Sequence, residues 1–339
     1  MMQTRVGWLS GVVVLTKSGA VIFDPSRKKS QGCFCTFISH AHSDHIKGLN
    51  INGKGYLTTE TKDIIYNRNY KEGELENFIS LKYGEKVNIG ELEVSVHNSG
   101  HILGAAQYVI RDATSTVVYT GDINCREMLT TTAANAIPCD LLILETTYGN
   151  PFYVFPSLMD TCVKIVNWAI REIRKGRTPT FVVYSVGKAQ EIIKIFNEFT
   201  NLPVVVSRSV ARVNKAYDKN KVKLMYVEST VDEGKEVLKE QCIQVVSSAE
   251  KPTVLNNYSF ATATGWSLKS STNFVDASFP LSNHADFNQL VNYVKLAKPK
   301  EVLTIHGFKE DFSRYISKKF GIRARAIPPI KQIDLRSFM

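Results

Sequence analysis

The sequence predicts an α/β protein built as one domain interrupted by a second, inserted α/β module. Three observations carry that expectation. Up to about residue 150 the chain is a series of short apolar runs split by Gly, Asn and Asp; from about Ser157 strands and helices alternate; after about residue 265 the short strands return. Apolar runs bounded by turn residues read as strands, which places strands at Val12–Leu15, Ala20–Phe23, Phe34–Ser39, Leu92–His97, Gln107–Arg111, Val117–Thr120 and Leu141–Leu144, with one helix over Thr59–Tyr70. In Leu158–Lys175 the apolar residues Cys162, Ile165, Val166, Ala169, Ile170 and Ile173 recur near helical spacing, and Gly176 supplies a stop. A buried strand at Thr180–Tyr184, an amphipathic helix at Gly187–Phe199, a strand at Pro203–Ser207 and a helix at Val210–Tyr217 follow. That alternation is the pattern of a small parallel α/β unit. Near the end, Phe287–Ala297 reads as a helix and Glu301–Ile305 as a strand.

Composition narrows the function classes. Hydrophobic residues are 44% and charged residues 22% of the 339, ordinary globular usage that excludes a disordered or fibrous chain. Lys and Arg number 42 against 32 Asp and Glu, a net charge of +10. Such a balance suits either a polyanionic partner or a solvated basic surface. No apolar run approaches the roughly 18 residues a membrane span needs. The short run Val12–Leu15, flanked by Gly11 and Lys17-Ser18-Gly19, reads as a strand and turn rather than a signal peptide. A soluble, cytoplasmic protein without a membrane partner is expected. None of the six cysteines forms a Cys-x-x-Cys pair, which removes zinc-ribbon and thioredoxin readings. Cys33 and Cys35 lie in an apolar run and read as small buried filler.

Histidine is scarce, with seven in the chain, and its placement is the sharpest signal. Ser39-His40-Ala41-His42-Ser43-Asp44-His45 packs four candidate ligands into six residues after an apolar strand. Imidazole and carboxylate suit Zn²⁺ and its neighbours. His40 and His42 alternate by two and share one side of an extended stretch, whereas Asp44 and His45 turn toward a second centre. The same pattern, a strand ending in a ligand beside Gly, recurs at Gly100-His101, Gly121-Asp122 and His306-Gly307. His284, in Ser282-Asn283-His284-Ala285-Asp286, precedes a helix. His97 is read as a strand residue.

These segments resemble the metallo-β-lactamase superfamily and, within it, the nucleic-acid-processing β-CASP nucleases. That branch includes the mRNA 3′-end cleavage nuclease, RNase J and short ligase-associated DNA exonucleases. The His40–His45 segment carries the superfamily resemblance. Leu144-Glu145-Thr146-Thr147-Tyr148-Gly149, Ser282–Asp286 and Ile305-His306-Gly307 select the branch, and Val186-Gly187-Lys188-Ala189-Gln190-Glu191 resembles the strand–helix junction of its inserted module. Pro280-Leu281 departs from the aromatic-plus-small context often seen before the histidine motif. The resemblance implies a four-layer αββα sandwich formed by residues 1–152 and 268–339, with residues 153–267 inserted as a parallel α/β (β-CASP) cap.

Carried over by position, the resemblance implies that His40, His42 and His101 bind one Zn²⁺ and that Asp44, His45 and His306 bind another, with Mn²⁺ as the alternative ion. Asp122 would bridge them, His284 would be the general acid, and Glu145 would orient it; Asp44 is counted with these catalytic groups. Two such cations would activate a shared hydroxide for in-line attack on a phosphodiester. Ser185 and Lys188, at a predicted helix start, and Lys175 and Arg177 are the candidate nucleic-acid contacts. The expected activity is a zinc-dependent nuclease acting on RNA, with a single-strand DNA exonuclease as the alternative. A small-molecule metallohydrolase and a non-catalytic nucleic-acid-binding subunit stand behind these.

Overall fold

The structure, a computed structural model, describes residues 4–16, 19–26, 35–49, 53–70, 72–251, 257–269 and 275–330. Cys33, the turn at Lys17 and Ser18, and the start of the strand expected from Phe34 lie outside these residues. The chain divides into two compact units: Met1–Arg126 with Ala133–Phe152 and His284–Met339, and Glu127–Thr132 with Tyr153–Asn283.

The first unit contains two sheets. One runs in the order β1 (Arg5–Trp8), β2 (Val12–Thr16), β3 (Gly19–Phe23), β4 (Cys35–Phe37), β5 (Gly55–Thr58) and β6 (Phe78–Leu81). The other contains β7 (Lys86–Ile89), β8 (Leu92–Asn98), β9 (Ala106–Arg111), β10 (Thr116–Tyr119) and β11 (Leu141–Glu145), extended by β18 (Glu301–Ile305) and β19 (Arg323–Ala326). Alternation along each strand sends one face inward. Val14, Phe23 and Phe37 from the first sheet thus meet Val94, Tyr108, Tyr119 and Ile143 from the second in one buried cluster. Each large apolar side chain buried there contributes roughly 1.5–3 kcal/mol. The second sheet's other face, through Val109, Val118, Leu142 and Val302, is covered by α6 (Phe287–Ala297) and α7 (Lys309–Phe320). Helix α1 (Thr59–Asn67) contacts β5 and β6 of the first sheet. Two sheets thus lie between helices.

The second unit has one parallel sheet in the order β14 (Val227–Glu228), β13 (Val204–Val206), β15 (Ile243–Ser247), β12 (Thr178–Val183), β16 (Tyr258–Ala263) and β17 (Ala277–Phe279). Its helices are α2 (Leu158–Arg174), α3 (Lys188–Phe199), α4 (Arg208–Lys219) and α5 (Asp232–Val237). Trp168, Phe181, Phe196 and Phe279 form an aromatic cluster against the sheet.

Several elements differ from expectation. α1 stops at Asn67 because Asn69, with φ 64°, turns the chain left-handed. α7 was not anticipated; its apolar residues Phe312 and Ile316 sit in a helix of mostly charged and polar residues yet are fully buried. The chain stays with the second unit through Asn283, beyond the expected 267, because β17 pairs with β16 with Ala261 opposite Ala277. Glu127–Thr132 belongs there too: buried Glu191 accepts hydrogen bonds from the N–H groups of Leu129 (3.2 Å) and Thr130 (3.0 Å).

Candidate metal centre

Within the first unit, four strand ends deliver the candidate ligands. β4 leads into His40, β8 into His101, β10 into Asp122 and β18 into His306. His40 and His101 are at most 1% exposed, and His45 and Asp122 are 5% and 7% exposed. The turns are tight where these ends meet. Gly121 has φ 53°, and a Cβ there would lie 2.7 Å from that of Ser39. His306 itself holds φ 59°, a conformation non-glycine residues adopt at a cost. It is held by Thr146, whose Oγ1 donates to the His306 carbonyl at 2.8 Å.

The ring nitrogens converge. His42 Nδ1 lies 3.1 Å from both His40 Nε2 and His101 Nε2, and Asp122 Oδ2 lies 3.4 and 3.6 Å from those two Nε2 atoms. A tetrahedral ion with bonds near 2.0–2.1 Å keeps its ligand atoms about 3.3 Å apart, so this set fits a divalent transition metal. His45, Asp122 and His306 form a second set with all ligand atoms within 4.8 Å. Asp122 belongs to both. Asp44 stands at the margin: its side chain is 70% exposed and its Oδ2 is 3.6 Å from His45 Nε2.

The shell behind the ligands fixes their tautomers. His45 Nδ1 donates to Asp24 Oδ2 at 2.8 Å, leaving Nε2 for an ion. His40 Nδ1 lies 2.9 Å from Ser39 Oγ, which donates to the same Asp24 oxygen at 2.6 Å. Tyr119 OH and the Ser39 N–H also donate to Asp24, both at 2.7 Å. Burial and the surrounding imidazoles, His45 first, push His40 well below the ordinary histidine range and keep it neutral. Burial opposes charge on His45 too, but Asp122 and Asp24 outweigh it and lift that ring to about 10 in the metal-free protein. Arg68 braces the same loop, donating to the Ala41 carbonyl at 2.6 Å and to Ser43 Oγ at 2.8 Å.

Asp24 and Arg68 were not singled out in the sequence. Asp24 carried a signal, since it ends the apolar run Ala20–Phe23 just as the ligands end theirs. Substituting Asp24→Asn should lower metal affinity about 10–100-fold, the usual cost of losing a partner that orients a ligand. Titration against a chromogenic chelator measures this; unchanged affinity would show that Asp24 only stabilises the fold.

Beside the ligands, His284 Nδ1 lies 3.0 Å from Glu145 Oε1, and its ring centroid is 4.4 Å from that of His101. Glu145 is fully buried and accepts from the N–H groups of Thr147 (2.8 Å) and Ile123 (3.2 Å). Burial alone would raise its carboxyl, but His284 and the Thr147 N–H hold it below the usual carboxylate value.

The candidate nucleic-acid contacts, all in the second unit, fare differently. Lys188 is not presented to solvent: it is 7% exposed, and its Nζ donates to the Leu281 carbonyl at 2.6 Å. Ser185 is half-buried, and its carbonyl accepts from Gln190. Lys175 and Arg177 both reach Glu172, at 2.7 and 3.4 Å. His97, as read, lies in β8, 3.0 Å from Ser95 Oγ.

The chain is similar to several known proteins. Residues 277–328 match the family model described as the Zn-dependent metallo-hydrolase RNA specificity domain. An RNase J-like protein of Methanocaldococcus jannaschii is 25% identical, with 93% of this chain and 92% of that protein aligned. These matches make the chain similar to the β-CASP branch of the metallo-β-lactamase superfamily. A probable DNA ligase of Opitutus terrae is 28% identical over 88% of this chain; the chain spans 29% of that protein's length. A solved structure from Enterococcus faecalis shares the fold, with TM-score 0.67 at 18% identity, covering 96% of this chain and 98% of that one. Among the described residues, no helix is long and apolar enough to cross a membrane.

Proposed function

We propose that this protein hydrolyses phosphodiester bonds of nucleic acid, with RNA as the preferred substrate. The observation that carries the reading is the sharing of Asp122 between two ligand sets, with the His284–Glu145 pair against them. His40, His42, His101 and Asp122 would hold one Zn²⁺, and His45, His306 and Asp122, with Asp44 swung inward, the other. Divalent ions held there would neutralise phosphate oxygens and ease ionisation of water. His284 donates a proton from Nε2 to the departing oxygen, while Glu145 holds Nδ1 and stabilises the charged ring. Residues 153–267 form the core of the β-CASP module in this reading.

The RNA-processing name of the M. jannaschii relative and the RNA specificity domain model support RNA. The match to a probable DNA ligase supports a second reading, resection of single-stranded DNA. End-labelled RNA and DNA of one sequence, each with a 5′-phosphate or a 5′-hydroxyl, separate the two. A ladder or released mononucleotide from RNA alone is the expected result. Cleavage of DNA alone selects the second reading, and cleavage of neither, with Zn²⁺ or Mn²⁺ supplied, overturns both.

A further inference from the structure

Resting on the nucleic-acid reading above, we propose that the outer face of α4 binds the sugar–phosphate backbone of a single strand. Arg208, Arg212, Lys215 and Lys219 occupy positions i, i+4, i+7 and i+11 of this helix. At 3.6 residues per turn they fall within one arc of about 60°, one basic side chain per turn. The opposite side, Val210, Val213 and Tyr217, is buried in the second unit. Arg208, Lys215 and Lys219 are exposed, Arg212 is half-buried, and exposed Lys221 and Lys223 follow directly.

Stability does not account for this pattern. Like charges at i,i+3 and i,i+4 repel, and Arg208 stands at the first helical position, where the helix dipole favours an acid; the first turn contains none. Among the described residues, Arg208, Arg212 and Lys215 make no ion pair. The helix's one acid, Asp218, lies off the stripe and accepts the Leu224 N–H at 3.3 Å. The α2 cluster is a weaker candidate: Asn167 interrupts its face, Asp160 heads it, and Glu172 holds Lys175. Three cations in line without an ion pair, Arg208, Arg212 and Lys215, are what a polyanion needs. From Arg208 to Lys219 the stripe runs about 16 Å, the length of about five stacked nucleotides at 3.4 Å each.

The test compares the chain with and without the triple substitution Arg208→Ala, Arg212→Ala and Lys215→Ala. Anisotropy of a fluorescein-labelled single-stranded oligonucleotide is followed over a salt series, in a shared His284→Ala background so that the strand survives. Each single-strand phosphate contact contributes about 0.7 to the slope of log K against log salt, so the triple variant should lose about 2. In the otherwise unaltered chain, the same substitutions should leave turnover of bis(4-nitrophenyl) phosphate within about two-fold, since that small ester has no nucleic-acid backbone for the stripe to bind. An unchanged slope overturns the proposal. So does a triple variant that binds the oligonucleotide normally but no longer binds phosphatidylserine vesicles. If the unaltered chain cuts neither oligonucleotide nor ester, the nuclease reading fails, while the slope still decides the stripe.

Discussion

Replacing His284 with Ala should lower turnover about 10²–10⁴-fold, the range a positioned general acid contributes, while leaving metal content unchanged. The separation follows from where the ring is held. His284 is anchored through Nδ1 to Glu145, and Glu145 in turn is fixed by Thr147 and Ile123. The ring lies outside the set of His40, His42, His101 and Asp122, so its loss leaves that set whole. Metal analysis beside initial rates checks both halves. Glu145→Gln keeps the size of the side chain and should give a smaller loss, because a neutral amide holds the ring without stabilising its charge. Full activity in His284→Ala would remove the residue from the reaction.

Asp122→Ala should abolish metal content and hydrolysis together. Its carboxylate lies 3.4–3.6 Å from the Nε2 atoms of His40, His45 and His101, so both sets lose a member at once. Without it His40 and His101 also lose the carboxylate beside their Nε2 atoms, and His45 retains Asp24 and Asp44 to support a proton. The isosteric Asp122→Asn tests charge apart from packing. With metal stripped from both, it should melt like the parent chain, yet it should recover metal only at much higher concentration. Retention of both metal and activity in either variant would show that the shared carboxylate is dispensable.

The convergence of the candidate ligands was legible because the pattern repeats: an apolar strand, a tight turn, a histidine or aspartate. Any one instance is weak, but several strand ends, drawn from both sheets of the first unit, share few explanations. Helix α6 was readable to the residue, since Asp286 caps it and accepts from the Gln289 N–H at 2.9 Å. Lys188 was misread for a physical reason. A lysine after a glycine turn at a helix start resembles a phosphate-binding loop, but its partner, the Leu281 carbonyl, lies 93 residues away. No local pattern reveals such a contact. Asp24 escaped for the opposite reason, because an aspartate before proline at a strand end is commonplace in turns. The basic stripe of α4 was present in the helical spacing, yet only knowledge of which charges are already paired separates it from the cluster on α2.

The second ligand set joins His45, near the first strands, to His306, at the end of β18, 306 − 45 = 261 positions later. An ion held by both is therefore a cross-link across most of the chain. The unfolded polymer cannot present these groups together, so uptake of the ion is also a contribution to folding. By mass action it reaches about 4 kcal/mol when free metal stands a thousandfold above its dissociation constant. On the proposed reading the centre would be a clasp as well as a reaction site, and the supply of metal would set how firmly the segments around His45 and His306 are kept together.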